Sequence, residues 1–231
     1  MDFTYTNMLA QLNVASAHPG GFTATKKAWE KLKNFRHDVI LDAGCGTGKT
    51  LAYLANKTNS QLIGVDQHEA MIKKASQRLQ HTSVKLHLAN IGSLPFENET
   101  IDCIISESVI SFNNVRDCLA EYYRVLRPGG TLYIVEITAC DTLTFAEQDE
   151  INQFYGTQSI LTADEWNKLI KQAGFNVIES SPLPATADGQ IELEFNDQIN
   201  SIYIDYLSHH YHLINILQTK LMGQQFFCQK K

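Results

Sequence analysis

A glycine-rich loop and a few acidic and imidazole side chains carry whatever chemistry this chain performs. The loop "AGCGTGKT" spans Ala43 to Thr50 and directly follows Asp42, while Asp66, Glu107 and His18 stand elsewhere along the sequence. One reading of the loop is a phosphate cradle, in which successive backbone N–H groups wrap a polyanion and Lys49 and Thr50 serve its phosphates and magnesium. A second uses the glycines at 44, 46 and 48 to turn the backbone sharply against a flat, bulky ligand. The two demand opposite charges beside the loop.

Asp42 favours the second. It ends the apolar run "VILD", so its carboxylate lies where phosphates would sit, and like charges oppose each other there. A nucleotide hydrolase also needs a second carboxylate for magnesium, usually at the end of another apolar strand; Asp102 instead falls near the beginning of its run. A dinucleotide loop wants glycine at the sixth position of G-x-G-x-x-G, and Lys49 occupies it. An S-adenosylmethionine cradle accounts for more of the residues at once. Asp66 ends the next apolar run, 18 residues after Gly48, where a carboxylate can accept hydrogen bonds from both ribose hydroxyls. The ammonium, sulfonium and diol of that ligand give both carboxylates partners.

These residues need a scaffold, and the hydrophobic pattern supplies one. "VILDA" (39–43), "QLIGVD" (61–66), "VKLHLA" (84–89), "IDCIIS" (101–106) and "GTLYIVEIT" (130–138) read as buried strands. Helical spacing separates them at Thr50–Lys57, Glu69–Gln80 and Asn114–Leu126, and "RPGG" stops the last helix. The alternation predicts an α/β fold with a doubly wound, mostly parallel sheet and right-handed crossovers. Further helices are expected within residues 1–17 and at Thr23–Phe35. In "LTADEWNKLIKQAGF" Thr162 caps a helix and Glu165 reciprocates, ahead of a strand at Phe175–Glu179. Asp197–Met222 reads as one long amphipathic helix, "QQFFCQ" as a terminal strand, and "SPLPATADGQ" (181–190) as a loop.

Composition narrows the class. The chain has 231 residues, 44% hydrophobic and 19% charged, with a net charge of −6, enough for a real core and too acidic for a broad nucleic-acid field. Small molecules are therefore the expected partners, with no nucleic acid and no membrane, since neither a leader nor an apolar run of spanning length is present. Five scattered cysteines without a C-x-x-C pair argue against a disulfide framework and a zinc site, and point to a reducing cytoplasm.

"VILDAGCGTG", "LIGVDQHEAMI", "ANIGSLPFENETIDCIISES" and "YYRVLRPGGTLYIVE", in that order, resemble the class I S-adenosylmethionine-dependent methyltransferases of the small-molecule type. The similarity runs over about residues 39–137 and extends through the "LTADEWNKLIKQAGF" segment to about residue 180. The resemblance implies a Rossmann-like core at 37–180 with a seven-stranded sheet, an N-terminal helical lid at 1–36, and a C-terminal helix and final strand at 181–231. It makes Asp42 and the backbone of Gly44, Cys45 and Gly46 contacts to the methionine portion, Asp66 the ribose partner, and Gln67 a neighbour of the adenine. Asn90 and Ile91 occupy the place of the residues that touch the base. Asn90 departs from the acidic residue usual there, so an amide oxygen takes the part of a carboxylate.

The methyl acceptor leaves fewer marks. Glu107, just past the fourth strand, is a candidate general base or acceptor anchor; alternatively it caps a helix or pairs with a basic side chain. His18 lies in "HPGGF", where two glycines offer a hinge for a closing segment, or the stretch is a plain turn with a surface histidine. Residues 139–160, with Phe145, Phe154 and Tyr155, build either an acceptor pocket or ordinary packing. His209, His210 and His212 fan around their helix and suggest no metal, Cys45 has no nucleophilic part, and the long C-terminal helix offers a face for a homodimer. The expected activity is methyl transfer from S-adenosylmethionine to an unidentified small molecule. A catalytically silent binder of that cofactor and a phosphate-loop hydrolase are the competing readings.

Overall fold

The computed structural model describes residues 4–12, 14–184 and 201–231. Seven strands form one sheet: β1 (Val39–Ala43), β2 (Gln61–Asp66), β3 (Lys85–Leu88), β4 (Ile101–Glu107), β5 (Leu126–Ala139), β6 (Phe175–Leu183) and β7 (Leu221–Lys230). Their spatial order is β3-β2-β1-β4-β5-β7-β6. The first five pair in parallel, and β7 runs antiparallel between β5 and β6. The order reverses between β1 and β4, because the chain first builds outward to β3 and then returns to the other side of β1.

Strands buried on both faces read as continuous apolar runs, and alternate residues show why. Leu41 and Ala43 of β1 face one core cluster, and Ile40 faces the other. The first cluster is closed by α5 (Val115–Val125) and α7 (Ala163–Gln172) through Leu119, Tyr122, Trp166 and Ile170. The second is closed by α2 (Gly21–Leu32), α3 (Lys49–Leu54) and α4 (Glu69–Arg78) through Trp29, Leu51, Leu54 and Ala75. Truncating a wholly buried residue such as Leu41 to alanine would cost about 2–5 kcal/mol.

A third layer sits over the strand ends. α1 (Tyr5–Gln11), α6 (Phe145–Tyr155) and α8 (Ser201–Leu217) contact one another through two smaller apolar clusters around Ile151 and Leu213 and around Tyr5 and Met8. The capping box of α7 forms as its sequence predicts, with Thr162 Oγ1 accepting from Glu165 N–H at 3.2 Å and Glu165 returning to Thr162 N–H at 2.8 Å. Thr144 and Glu147 make a second one at the start of α6.

Two expectations shift. The C-terminal helix stops at Leu217 instead of reaching Met222, because Leu221 and Met222 pair with Ala139 and Thr138 of the extended β5. Residues 197–200 of that expected helix, and 185–190 of the expected loop, lie outside the described residues. The strand expected at Phe175–Glu179 runs on to Leu183, so residues 181–183 of the expected loop belong to β6.

Candidate active site

At the carboxyl ends of β1, β2 and β4, beside the reversal in strand order, a cavity of about 580 Å³ opens beneath α1, α6 and α8. Ligands of open α/β sheets settle at this position, and the volume falls within the roughly 300–1,000 Å³ of small-molecule pockets. Asp66 and Glu107 end β2 and β4, Asp42 is the last residue but one of β1, and all three line it.

Asp42 is 3% exposed, and its Oδ2 has no hydrogen-bond partner among the described residues. Burial first, then the charges of Glu107 and Asp66, push its carboxyl well above the ordinary range. Asp66 is also raised, chiefly by burial, against the lowering effect of the N–H groups of His68 (2.8 Å to Oδ1) and Gly46 (3.0 Å to Oδ2). Three clustered carboxylates form a site that repels itself until a cation arrives. Ser16 Oγ and Thr47 Oγ1, also on the cavity wall, are buried without hydrogen-bond partners among the described residues. Buried polar atoms in this state call for a ligand or water to satisfy them.

The loop geometry separates the two readings of "AGCGTGKT". The N–H groups of Gly44 and Cys45 both donate to Val65 O, at 2.8 and 2.9 Å, and that of Gly46 donates to Asp66. Donors that a phosphate would need are therefore spent on β2. Lys49 opens α3 with its ammonium 4.5 Å from the Phe22 ring centroid, and the Thr50 hydroxyl donates to Glu107 at 3.2 Å. Gly46, at φ 52°, has no atom within 4 Å of where a Cβ would stand, so its bare face opens on the cavity. Gly44, at φ 81°, is needed for packing instead: a Cβ there would meet Val109 Cγ2 at 2.5 Å.

Glu107 caps no helix, and the basic side chain beside it is His18. Its Oε1 accepts from Thr25 at 2.8 Å, its Oε2 from Thr50, and His18 Nε2 stands 3.6 Å from Oε2. His18 is 6% exposed and lines the cavity, which sets aside the surface-histidine alternative. Its segment docks against the end of β6 and the start of β7, since Gly20 N–H donates to Pro184 O, just past β6, and Pro19 abuts Gly223 of β7.

Gln67, Ile91 and Asn113, which follow β2, β3 and β4 in the chain, also line the cavity. Asn90 stands behind them: its amide nitrogen donates to Gln67 Oε1 at 2.8 Å and Asn113 Oδ1 at 3.1 Å, and its oxygen accepts from Gly92 N–H at 2.7 Å. It thus ties two wall residues together. Cys45 is 7% exposed, and burial raises its thiol well above the ordinary range.

Glu136 and Tyr5 carry no role in the sequence analysis, whereas Tyr155 lies in the stretch it offers as an acceptor pocket or as packing. Glu136, 1% exposed inside β5, accepts from Val109 N–H, Ile110 N–H and the Ser111 hydroxyl at 3.0, 2.7 and 2.6 Å. It holds the turn after Glu107, where Ser108 sits at φ 53°. A lone acid inside "TLYIVEIT" was the available signal. Tyr155 and His210 meet through a 3.0 Å hydrogen bond, Tyr5 stacks on His210, and all three rings line the cavity. Phe145 is 88% exposed and takes no part in the site. Among the described residues no cluster suits a metal ion, and no helix is long and apolar enough to cross a membrane.

A seven-stranded sheet in this order, with an acidic, glycine-turned pocket at its switch point, defines a class I S-adenosylmethionine-dependent methyltransferase. The comparisons agree. Residues 41–134 match the family described as a methyltransferase domain. The chain is 35% identical over 232 residues to the uncharacterized methyltransferase YodH of Bacillus subtilis (strain 168), covering 98% of this chain and 99% of that one. The chain therefore belongs to this methyltransferase family and is an enzyme that uses S-adenosylmethionine. It is 30% identical over 168 residues to the O-methyltransferase cnsE of Penicillium expansum, covering 69% of this chain and 59% of the relative. In fold it resembles the phosphoethanolamine N-methyltransferase 2 of Haemonchus contortus, solved with phosphomonomethylethanolamine and S-adenosylhomocysteine, at a TM-score of 0.78 and 18% identity, covering 98% of this chain and 57% of that one.

Proposed function

We propose that the enzyme methylates a small-molecule acceptor and releases S-adenosylhomocysteine, with Asp42 and Asp66 gripping the donor and Glu107 and His18 facing the reaction. The observation that carries this reading is the unpartnered Oδ2 of Asp42, buried at the tip of β1 beside two further carboxylates. That environment suits a donor bearing an ammonium and a sulfonium, and it opposes nucleotide phosphates.

When bound, S-adenosylmethionine supplies a methyl group already activated by its sulfonium, so the transfer is an in-line displacement at that carbon. The residues of the chain bind and orient. Asp42, with the backbone of Gly44, Cys45 and Gly46, would hold the methionine portion and its ammonium. Asp66 keeps acceptor capacity for the ribose hydroxyls, since each carboxylate oxygen holds two lone pairs and each spends one on a backbone N–H. Gln67 and Ile91 flank the base, and Asn90 acts by holding Gln67 and Asn113 in place. Glu107, fixed by two threonine hydroxyls and next to His18, receives the acceptor's proton or anchors the acceptor. Positioning and exclusion of water provide most of the acceleration. The five cysteines, free in the structure, support a reducing, cytoplasmic setting.

Calorimetry with S-adenosylmethionine, S-adenosylhomocysteine and ATP tests the reading. Heat with the first two and none with ATP is expected; binding of ATP alone would overturn it. The built acceptor side, with a partnered Glu107 and an enclosed roof, favours a working enzyme over a silent binder, and product mass spectrometry in a methylation screen separates the two.

A further inference from the structure

The half of the cavity farthest from the strand tips is roofed by α1, α6 and α8, and its chemistry differs from the donor half. Leu9, Ile151, Ile160, Leu207, Ile214 and Leu217 give it an aliphatic wall. No lysine or arginine occurs in residues 1–25, 131–167 or 181–219, the stretches that contain all three roof helices. Residues 185–200, outside the described structure, fall within the last of these and bring only acidic charge. Among the described residues of the cavity wall, Asp42, Asp66, Glu107 and Glu136 face a single lysine, Lys49, which belongs to the glycine loop on the donor side. A phosphate or carboxylate in the roof chamber would meet no cation. An ammonium would fare no better, because among the described residues no acid of α1, α6 or α8 lines the wall, and Glu136 of β5 is already held by Val109, Ile110 and Ser111.

Thr6, Thr157, Tyr211 and Gln218 also line this side, and one pair of facing polar rings is built into it. The Tyr155 hydroxyl and His210 Nδ1 share a 3.0 Å hydrogen bond, and Tyr5 buttresses both, edge-on to Tyr155 at 4.7 Å and stacked on His210 at 5.7 Å between ring centroids. His210 Nε2 has no hydrogen-bond partner among the described residues. Burial lowers its pKa to about 4, so at neutral pH the ring is uncharged and offers one donor and one acceptor. An uncharged pair with spare capacity to give or take a proton matches an uncharged hydroxyl.

Resting on the methyltransferase reading above, we propose that the acceptor is an uncharged, predominantly apolar molecule seated between α1, α6 and α8, with a hydroxyl group on the Tyr155–His210 pair. Charged acceptors of the same shape are rejected because the chamber desolvates them without a counter-charge.

Three probes of one shape test this: 1-naphthol, 1-naphthyl phosphate and 1-naphthylmethylamine, each titrated calorimetrically into the full chain with and without S-adenosylhomocysteine. The expected result is that 1-naphthol binds and the two charged probes bind at least about tenfold more weakly. Tyr155→Phe should weaken 1-naphthol roughly three- to tenfold while leaving S-adenosylhomocysteine affinity unchanged. If 1-naphthyl phosphate or the amine binds as well as 1-naphthol, or Tyr155→Phe changes nothing, the proposal is overturned. Heat with S-adenosylhomocysteine but none with 1-naphthol overturns it while leaving the donor site standing. If S-adenosylhomocysteine itself gives no heat, the donor reading fails, and the three probes in the bare protein still decide this one.

Discussion

His18 Nε2 lies 3.6 Å from Glu107 Oε2, and the Thr25 hydroxyl touches both side chains, at 3.3 Å and 2.8 Å. Residues from an N-terminal turn, from α2 and from the tip of β4 thus form one polar knot in a cavity wall, with Thr50 of α3 as its fourth member. The knot joins the segment over the site to the strand end beneath it.

Members of such a knot should not act independently. In a double-mutant cycle of His18→Ala and Glu107→Gln, measured by chemical denaturation of the ligand-free protein, a coupling of about 0.5–3 kcal/mol is expected. Additive losses would mean that the imidazole and the carboxylate are neighbours without a shared interaction.

Asp42 sets stability against function. With its pKa raised in the folded state, the folded protein holds the Asp42 proton more tightly than the unfolded chain. The group's stabilising contribution is therefore present below the ordinary carboxylate range and is lost as pH rises through the raised value. At neutral pH Asp42→Asn should raise the Tm of the ligand-free protein. It should also weaken S-adenosylhomocysteine by roughly tenfold or more, the worth of a hydrogen bond to a charged partner. The donor's ammonium favours the carboxylate, so binding should release a proton and weaken as pH falls; titrations in buffers of different ionisation heat measure this. Proton uptake on binding would contradict it.

The strand tips and the glycine loop were legible in the sequence because each obeys a local rule: a buried strand of apolar residues ending in an acid, then glycines where the backbone must turn. Asp42 and Asp66 fall on the cavity for that reason, and Gln67 and Ile91, which the family resemblance implied, line it too. The roof was not legible. Tyr5, Tyr155 and His210 come from three helices whose meeting depends on tertiary packing, and their patterns alone read equally as core. α6 did carry a signal, the T-x-x-E of Thr144 and Glu147, identical in kind to the one recognised at Thr162. The end of α8 was misplaced because the apolar spacing of Leu221 fits a helix as well as a strand, and pairing with β5 decides between them.

Gly44 and Gly46 should fail in different ways. Alanine at 44 meets Val109 at 2.5 Å and strains a backbone at φ 81°, for a loss of about 2–5 kcal/mol in stability. Alanine at 46 has open space around it and should cost only the backbone penalty of about 1–2 kcal/mol. Its methyl group enters the donor's room, so S-adenosylhomocysteine affinity should drop about tenfold or more, whereas folded Gly44→Ala protein should keep most of it. Denaturation and calorimetry on the pair read both effects; equal affinity losses would mean that the loop does not divide its labour between packing and binding.

Glu136 makes a pH-dependent prediction of known sign. Burial lifts its pKa from 4.5 to about 7, despite the lowering effect of the Ser111 hydroxyl and the N–H groups of Ile110 and Val109. The folded state therefore binds this proton more tightly than the unfolded chain. Its contribution is complete below about pH 4.5 and disappears as pH climbs through about 7, an effect on the order of 3 kcal/mol. Asp42 and Asp66 titrate in the same sense, so the measurement must be a difference. In Glu136→Gln, the amide oxygen can still accept from Val109 and Ile110 while its NH2 turns to Ser111, and no charge is buried. The variant should match or trail the parent near pH 5 and exceed it at pH 8, in urea denaturation at both values. A variant less stable at pH 8 would mean that the three hydrogen bonds to the ionised carboxylate outweigh its desolvation, and that the turn carrying Ser108 and Val109 is held by charge after all.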